Sequence, residues 1–210
     1  MARHFLIDPP VHSVPTLEHY QAQWPHLQAR QSAVAQDERV IETILGAHQY
    51  FDFHLMLLDR VKHKHLEEDL PPLGLNFTIR AGWVKSAIIA GVSVIEGVLL
   101  FHAQSRNIRV SDKATFGSLT IAWKDNKQHW KEIQPIKAEL SRLAKVRNRV
   151  HLYAEPNINW ENVLKSEEQD LEKVHSCIAF LQKLKTRDRR LPKRVNSFHR
   201  GAQAKNKHTA

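Results

Sequence analysis

The segment 86–101, which reads SAIIAGVSVIEGVLLF, constrains the fold of this chain most strongly. It is apolar around nearly the whole circumference of a helix and carries one charge, Glu96, which is typical of a helix buried over most of its surface. A membrane span is the alternative, but the uncharged stretch is shorter than the usual length of about 20 residues. Lys85 and Glu96 also interrupt it. We therefore predict a core helix and no membrane insertion.

Glu96 needs a partner inside such a core, because an ionised carboxylate away from water is costly unless it meets a cation or hydrogen-bond donors. The best supplier is the run 147–151 (RNRVH), near the end of a later helical pattern. A spacing of four residues places Arg147 and His151 on one helix face, one turn apart. Arg147 keeps its charge at physiological pH and His151 titrates near neutrality, so the pair can bind a phosphate and move a proton. The alternative is that both lie solvated in a last helical turn, where cations are favoured.

The other long apolar patterns also have a helical period, and no strand pattern or internal repeat competes with them. Helices are predicted over 16–35 with a break near Pro25, and over 37–65, 78–104, from about 115, 135–153 and 159–186. The predicted fold class is all-α, a helical bundle. The predicted organisation is an extended N-terminal arm over 1–15, N-terminal helices over 16–70, the bundle over 78–186 and a disordered basic tail over 187–210.

Three segments together resemble a HEPN domain. They are the apolar helix that carries Ser93 and Glu96, the short segment 116–122 (FGSLTIA), and the helix from 140 through the RNRVH run. The resemblance covers about residues 80–186. It implies a small helical bundle, commonly a homodimer, and for many members a metal-independent endoribonuclease of toxin–antitoxin, phage-defence or RNA-processing systems.

The resemblance implies that Arg147, Asn148 and His151 are catalytic residues. Glu96 would support them by orienting Arg147 or His151. It implies that the ribose 2′-hydroxyl attacks the adjacent phosphate while His151 acts as general base or acid. Arg147 stabilises the developing charge, and Asn148 bonds the phosphate or the imidazole. The family motif is of the R-x-x-x-x-H type, and here only three residues separate Arg147 from His151. The alternative function is a non-catalytic dimeric module that binds RNA or a partner protein. In that case Arg147 and His151 would stabilise the dimer interface.

Positive charge is concentrated at the C-terminal end. The formal net charge is +9, and residues 185–210 contain nine Lys or Arg and one acidic residue, so the rest of the chain is nearly neutral. Few apolar residues and no helical period predict a disordered tail that contacts phosphates without reading bases; a merely solubilising end is the alternative. The candidate RNA-binding cations are Lys145, Arg149, Arg189, Arg190, Lys193 and Arg194.

Other chemistries have little support in the sequence. The only cysteine, Cys177, excludes an intramolecular disulfide and lies in a helical pattern typical of a core residue. The run 62–65 (KHKH) is more typical of a solvated helix end than of a zinc site. No H-E-x-x-H, C-x-x-C, G-x-G-x-x-G or Walker motif occurs, so we predict no metal and no cofactor.

The expected location and partners follow from the same patterns. The segment 1–15 contains three prolines and only a short apolar stretch, which favours an extended arm over a secretory signal. We therefore expect a cytoplasmic protein. The HEPN resemblance implies RNA, a second copy of the chain, and an antitoxin or regulatory protein as partners. The tryptophans in or beside helical segments are expected to pack in the core: Trp83, Trp123, Trp130 and Trp160.

Overall fold

The described part of the chain is built from helices. The computed structural model describes residues 16–28, 35–62, 77–111, 114–149 and 160–184, and within these ranges there is no β-strand. The helices are α1 Leu17–Gln23, α2 Pro25–Gln28, α3 Ala35–Lys62, α4 Phe77–Ser105, α5 Phe116–Asp125, α6 Lys127–Ile133, α7 Lys137–Arg149 and α8 Trp160–Leu181, with a 3-10 turn, Gln134–Ile136, before α7. The all-α prediction is confirmed, whereas the HEPN type stays a prediction.

The central element is α4, which packs along α3 and along α8. Glycine allows these close approaches because it has no Cβ. A Cβ at Gly91 would overlap Cγ1 of Val174 on α8 and lie 2.9 Å from the ring of Phe51 on α3. Both neighbours are fully buried. The apolar segment 86–101 is therefore a core helix enclosed by two others, as its composition predicts.

Within the described ranges, one helical segment is long and apolar enough to cross a membrane, Gly82–Ser105 of α4. Of its most apolar stretch, 61% is buried inside the protein. Because α3 and α8 cover this helix along its length, we interpret it as a core helix. The cytoplasmic location stays a prediction.

The end of α4 is defined by a left-handed residue. Asn107 has φ 55°, a conformation that asparagine tolerates better than most side chains. The N–H of Asn107 bonds the carbonyl of Gln104, and the N–H of Ile108 bonds the carbonyl of Ala103 at 2.9 Å. This pair of bonds is a Schellman motif, which satisfies the last carbonyls of the helix, and the buried Ile108 seals it. The helix predicted over 78–104 thus ends one residue later, at Ser105.

The segment between α4 and α7 differs in detail from the predicted pattern. Thr115 caps α5 in a capping box with Ser118. A further helix, α6, follows immediately, and its cap is Asn126, which accepts from the N–H of His129 at 3.2 Å. The helix predicted to start at Pro135 begins at Lys137, because the proline lies in the 3-10 turn that precedes it. Helix α6 was not predicted from the sequence, because its few apolar residues do not establish a helical period.

The predicted ends of the other helices are close to the observed ones. The break near Pro25 is confirmed, since α1 and α2 are separated at Trp24. The last helix, α8, ends at Leu181 rather than at 186, and a turn follows it. The N-terminal arm, the predicted end of α7 at 153 and the basic tail lie outside the described residues.

Candidate functional site

The sequence-predicted site is centred on an ion pair between α4 and α7. Nη2 of Arg147 lies 3.1 Å from Oε2 of Glu96. Glu96 sits on the central helix and Arg147 in the last described turn of α7, so the two helices are joined where the predicted site lies. The prediction that Glu96 meets a residue of the RNRVH run is confirmed.

The environment of this pair is intermediate between core and solvent. The Glu96 side chain is 21% exposed and the Arg147 side chain 33% exposed. Burial raises the pKa of Glu96 above its ordinary value, and the charge of Arg147 opposes that rise. The Arg147 side chain is therefore held by Glu96 while one-third of its surface still reaches solvent.

The other predicted site residues are only partly described. Asn148 and Arg149 belong to α7, but their side chains lie outside the described residues. His151 and the four tail cations, at 189, 190, 193 and 194, lie outside them entirely. Lys145 is exposed on α7. The site as described is thus the Glu96–Arg147 pair with one neighbouring surface cation.

A second polar cluster, which the sequence did not indicate, surrounds Arg106 at the end of α4. Its guanidinium bonds Oε2 of Glu132 on α6 through Nε at 2.8 Å and through Nη2 at 2.5 Å. Nη1 lies 3.0 Å from Nδ1 of His102, and the other oxygen of Glu132 lies 2.8 Å from Nδ1 of His129. The guanidinium also lies 5.6 Å from the centre of the Trp123 ring. The Arg106 side chain is almost completely buried. Its contacts with Glu132 and Trp123 connect the end of α4 to α6 and α5.

A third cluster, also not predicted, joins α1 to α3. The indole N–H of Trp24 donates to Nδ1 of His48 at 3.1 Å. Nε2 of His48 lies 4.0 Å from Oδ1 of Asp52, and the Tyr20 hydroxyl lies beside that carboxylate without hydrogen-bond geometry. All four residues are buried.

Burial governs the protonation of this third cluster. It lowers the pKa of His48 to about 4, with His175 and His19 adding to the effect, and it raises the pKa of Asp52 to about 6. It also raises the pKa of Tyr20. The sequence held one signal of this arrangement, since His48 and Asp52 are four residues apart on the apolar face of α3.

Metal and thiol chemistry find no support in the described residues. Within the described ranges, no group of three or more His, Cys, Asp or Glu is placed to hold a metal ion. Cys177 is fully buried, and burial raises the pKa of its thiol to about 12, so it is not a nucleophile near neutral pH. It is the core residue that its helical pattern predicts.

The expected packing of the tryptophans is confirmed most clearly for one of them. Trp123 is fully buried and donates its indole N–H to the carbonyl of Leu99 at 3.2 Å. Trp83 and Trp130 are half-buried against the core. The side chain of Trp160 lies outside the described residues.

Comparison of the chain with protein-family models, with curated proteins and with solved structures finds no match.

Proposed function

We propose that this protein is a HEPN-like, metal-independent endoribonuclease of the kind that acts as a toxin or phage-defence effector. The observation that carries the proposal is the contact of 3.1 Å between Glu96 and Arg147. A carboxylate from the core helix holds this fixed cation, which stands four residues before His151 in the sequence. The resemblance of residues 80–186 to HEPN domains supplies the reaction.

The anchoring of Arg147 favours phosphate binding. A guanidinium carries five N–H donors in a rigid plane, and one of its terminal nitrogens, Nη2, lies 3.1 Å from Oε2 of Glu96. The side chain is one-third exposed, so donors on its outer edge are available to a phosphate. Glu96 acts as a positioning residue, because it fixes the orientation of the guanidinium without touching the RNA.

The proposed reaction is an internal transfer. The ribose 2′-oxygen forms a bond to the adjacent phosphorus, and the bond from phosphorus to the 5′-oxygen breaks. His151 accepts the proton of the 2′-hydroxyl as general base, and a protonated imidazole, that of His151 of the partner subunit, supplies the proton to the 5′-oxygen. Arg147 stabilises the charge that builds on the phosphate oxygens, and Asn148 bonds the phosphate or the imidazole. The products are a 2′,3′-cyclic phosphate and a 5′-hydroxyl end.

The proposed partners follow from charge and from the two-subunit reaction. RNA is held by Lys145 and Arg149 of α7 and by Arg189, Arg190, Lys193 and Arg194 of the tail, through phosphate contacts that do not depend on sequence. A homodimer brings two copies of the site together. An antitoxin or regulatory protein restrains the activity in the cell.

The test is cleavage of mixed cellular RNA by the purified full chain in the presence of a chelator. We expect His151→Ala to lower the cleavage rate by about 10²- to 10⁴-fold while RNA affinity changes little, because the imidazole moves protons and the cations bind. Arg147→Ala should lower both rate and affinity. The matched control is Arg142→Ala. Arg142 is an exposed arginine of the same helix, paired with Asp170 of α8, and the reaction assigns it no role.

Three outcomes decide between the reaction and its alternatives. Cleavage that survives in His151→Ala at the wild-type rate removes the imidazole from the mechanism. Equal loss in Arg142→Ala and Arg147→Ala attributes the effect to general loss of charge. A folded protein that binds RNA and never cuts it establishes the alternative function, a binding module, which the one-residue-short motif favours.

A further inference from the structure

The contact between the α1–α2 segment, residues 17–28, and the bundle includes two histidines, His26 and His48, beside a hydrogen bond from Gln182 to Gln23. Trp24 donates its indole N–H to His48 of α3 at 3.1 Å. His26 of α2 stacks on His102 of α4, with ring centres 5.1 Å apart and planes inclined by 27°. Tyr20, Trp24 and Leu27 are completely buried, so attachment of the segment completes one side of the core.

The bond from Trp24 requires a neutral His48. An indole nitrogen can only donate, so Nδ1 of His48 must be the unprotonated acceptor. Protonation places a hydrogen on that nitrogen and sets two donors against each other. The groups that face His48 are His19 and Tyr20 of α1, Asp52 of α3 and His175 of α8.

His26 is equally unsuited to a charge. Its Nε2 is buried and makes no hydrogen bond. The charged group nearest to its stacking partner is Arg106, whose Nη1 lies 3.0 Å from Nδ1 of His102. Glu132 does not neutralise a protonated His26, because both of its oxygens already have partners. One oxygen accepts two hydrogen bonds from Arg106, and the other lies 2.8 Å from Nδ1 of His129. Among the described residues, the backbone of Gln182, in the turn after α8, favours a protonated His26.

We propose that protonation of His26 and His48 releases the α1–α2 segment from the bundle, so that this segment is a clasp opened by acid.

The sign of the pH effect follows from three groups at the contact. Burial lowers the pKa of His26 and of His48 from 6.5 to about 4, so the closed form binds fewer protons than the open form in that range. Burial raises the pKa of Asp52 from 3.8 to about 6, so the closed form holds one proton there that the open form releases. Two protons are therefore taken up and one is released on opening. The opening equilibrium should therefore rise about tenfold between pH 6 and pH 5, and about fivefold between pH 5 and pH 4, where the closed-form histidines begin to protonate.

The test is hydrogen exchange of the full chain at pH 6 and pH 4, read for amides of α1–α2 against amides of α4 as an internal reference and corrected for intrinsic rates. In the wild type, the opening equilibrium of α1–α2 should rise about 50-fold. His26→Phe keeps a ring for the stack, and with one titrating histidine removed the change should vanish. Adding His48→Asn keeps an acceptor for Trp24, and the change should then reverse sign because only Asp52 still titrates.

The matched control is His19→Asn with His175→Asn, which removes two exposed imidazoles and should keep most of the wild-type rise, because burial is a larger cause of the lowered pKa of His48 than these two neighbours. A wild-type protein in which α1–α2 and α4 open together at every pH overturns the proposal. So does a rise of similar size in His26→Phe. If the double variant fails to fold, the comparison of wild type with His26→Phe still decides, because it contrasts a rise of about 50-fold with almost none.

Discussion

Replacement of Gly91 by alanine tests whether α4 is enclosed by α3 and α8 as described. The new methyl group would overlap Cγ1 of Val174 and lie 2.9 Å from Cδ2 and Cε2 of Phe51. Both side chains are fully buried, so neither can move into solvent. Gly46 of α3 provides the matched control, because a Cβ there meets no atom within 4 Å.

The two substitutions should change stability in opposite directions. Alanine is favoured over glycine within a helix by about 0.8 to 1 kcal/mol, and this gain applies to both positions. At Gly46 nothing opposes it, so Gly46→Ala should stabilise the protein by about 0.5 to 1 kcal/mol. At Gly91 the added methyl overpacks a filled core, at a cost of about 1 to 3 kcal/mol and at the upper end because two helices must move apart. Gly91→Ala should therefore destabilise the protein by about 1 to 2 kcal/mol.

Urea unfolding followed by circular dichroism measures both effects. The unfolding midpoints should move apart while the denaturant slope stays the same, because the surface exposed on unfolding hardly changes. In thermal unfolding, a difference of about 2 to 3 kcal/mol separates the two variants by roughly 4 to 12 °C for a protein of this size. A Gly91→Ala variant as stable as Gly46→Ala would refute the enclosed position of α4.

Two further predictions concern the Arg106 cluster and the basic tail. Arg106→Ala should destabilise the protein by about 3 kcal/mol, since it strands the partly buried charge of Glu132, and Glu132→Gln should cost less because an acceptor remains; urea unfolding of the two variants checks the order. Removal of residues 187–210 should leave cooperative unfolding intact and weaken RNA binding. The slope of log affinity against log salt should become shallower by about 0.7 for each tail cation that contacts single-stranded RNA. An unchanged slope would exclude the tail from RNA binding, and loss of cooperative unfolding would make it a structural element.

The features that the sequence predicted correctly are those decided by one helix at a time. The apolar segment 86–101 can be stable only when enclosed, so its central place follows from composition. The contact between Glu96 and Arg147 was predictable because a lone charge on such a helix requires a partner, and the RNRVH run offers an arginine at the end of another helix. The break at Pro25 and the turn after α4 follow from local backbone preferences.

The polar clusters could not be predicted because they depend on how distant helices meet. Arg106 and Glu132 look like surface residues in the sequence, and they pair only because the turn after α4 brings α6 back against its end. Trp24 and His48 are 24 residues apart, and no helical spacing relates them. The α6 helix was missed for another reason. It has only seven residues, and these carry too few apolar positions to establish a helical period.

The enclosure of α4 has a consequence for synthesis of the protein. One wall of the enclosure, α3, precedes α4 and is available to pair with it as soon as both have left the ribosome. The other wall, α8, begins only at residue 160, so every nascent chain shorter than that leaves uncovered the side of α4 that packs on α8. Uncovered apolar surface of this kind is what molecular chaperones bind and what drives aggregation of incomplete chains. Premature termination before α8 thus leaves the apolar helix α4 without one of the two helices that cover it.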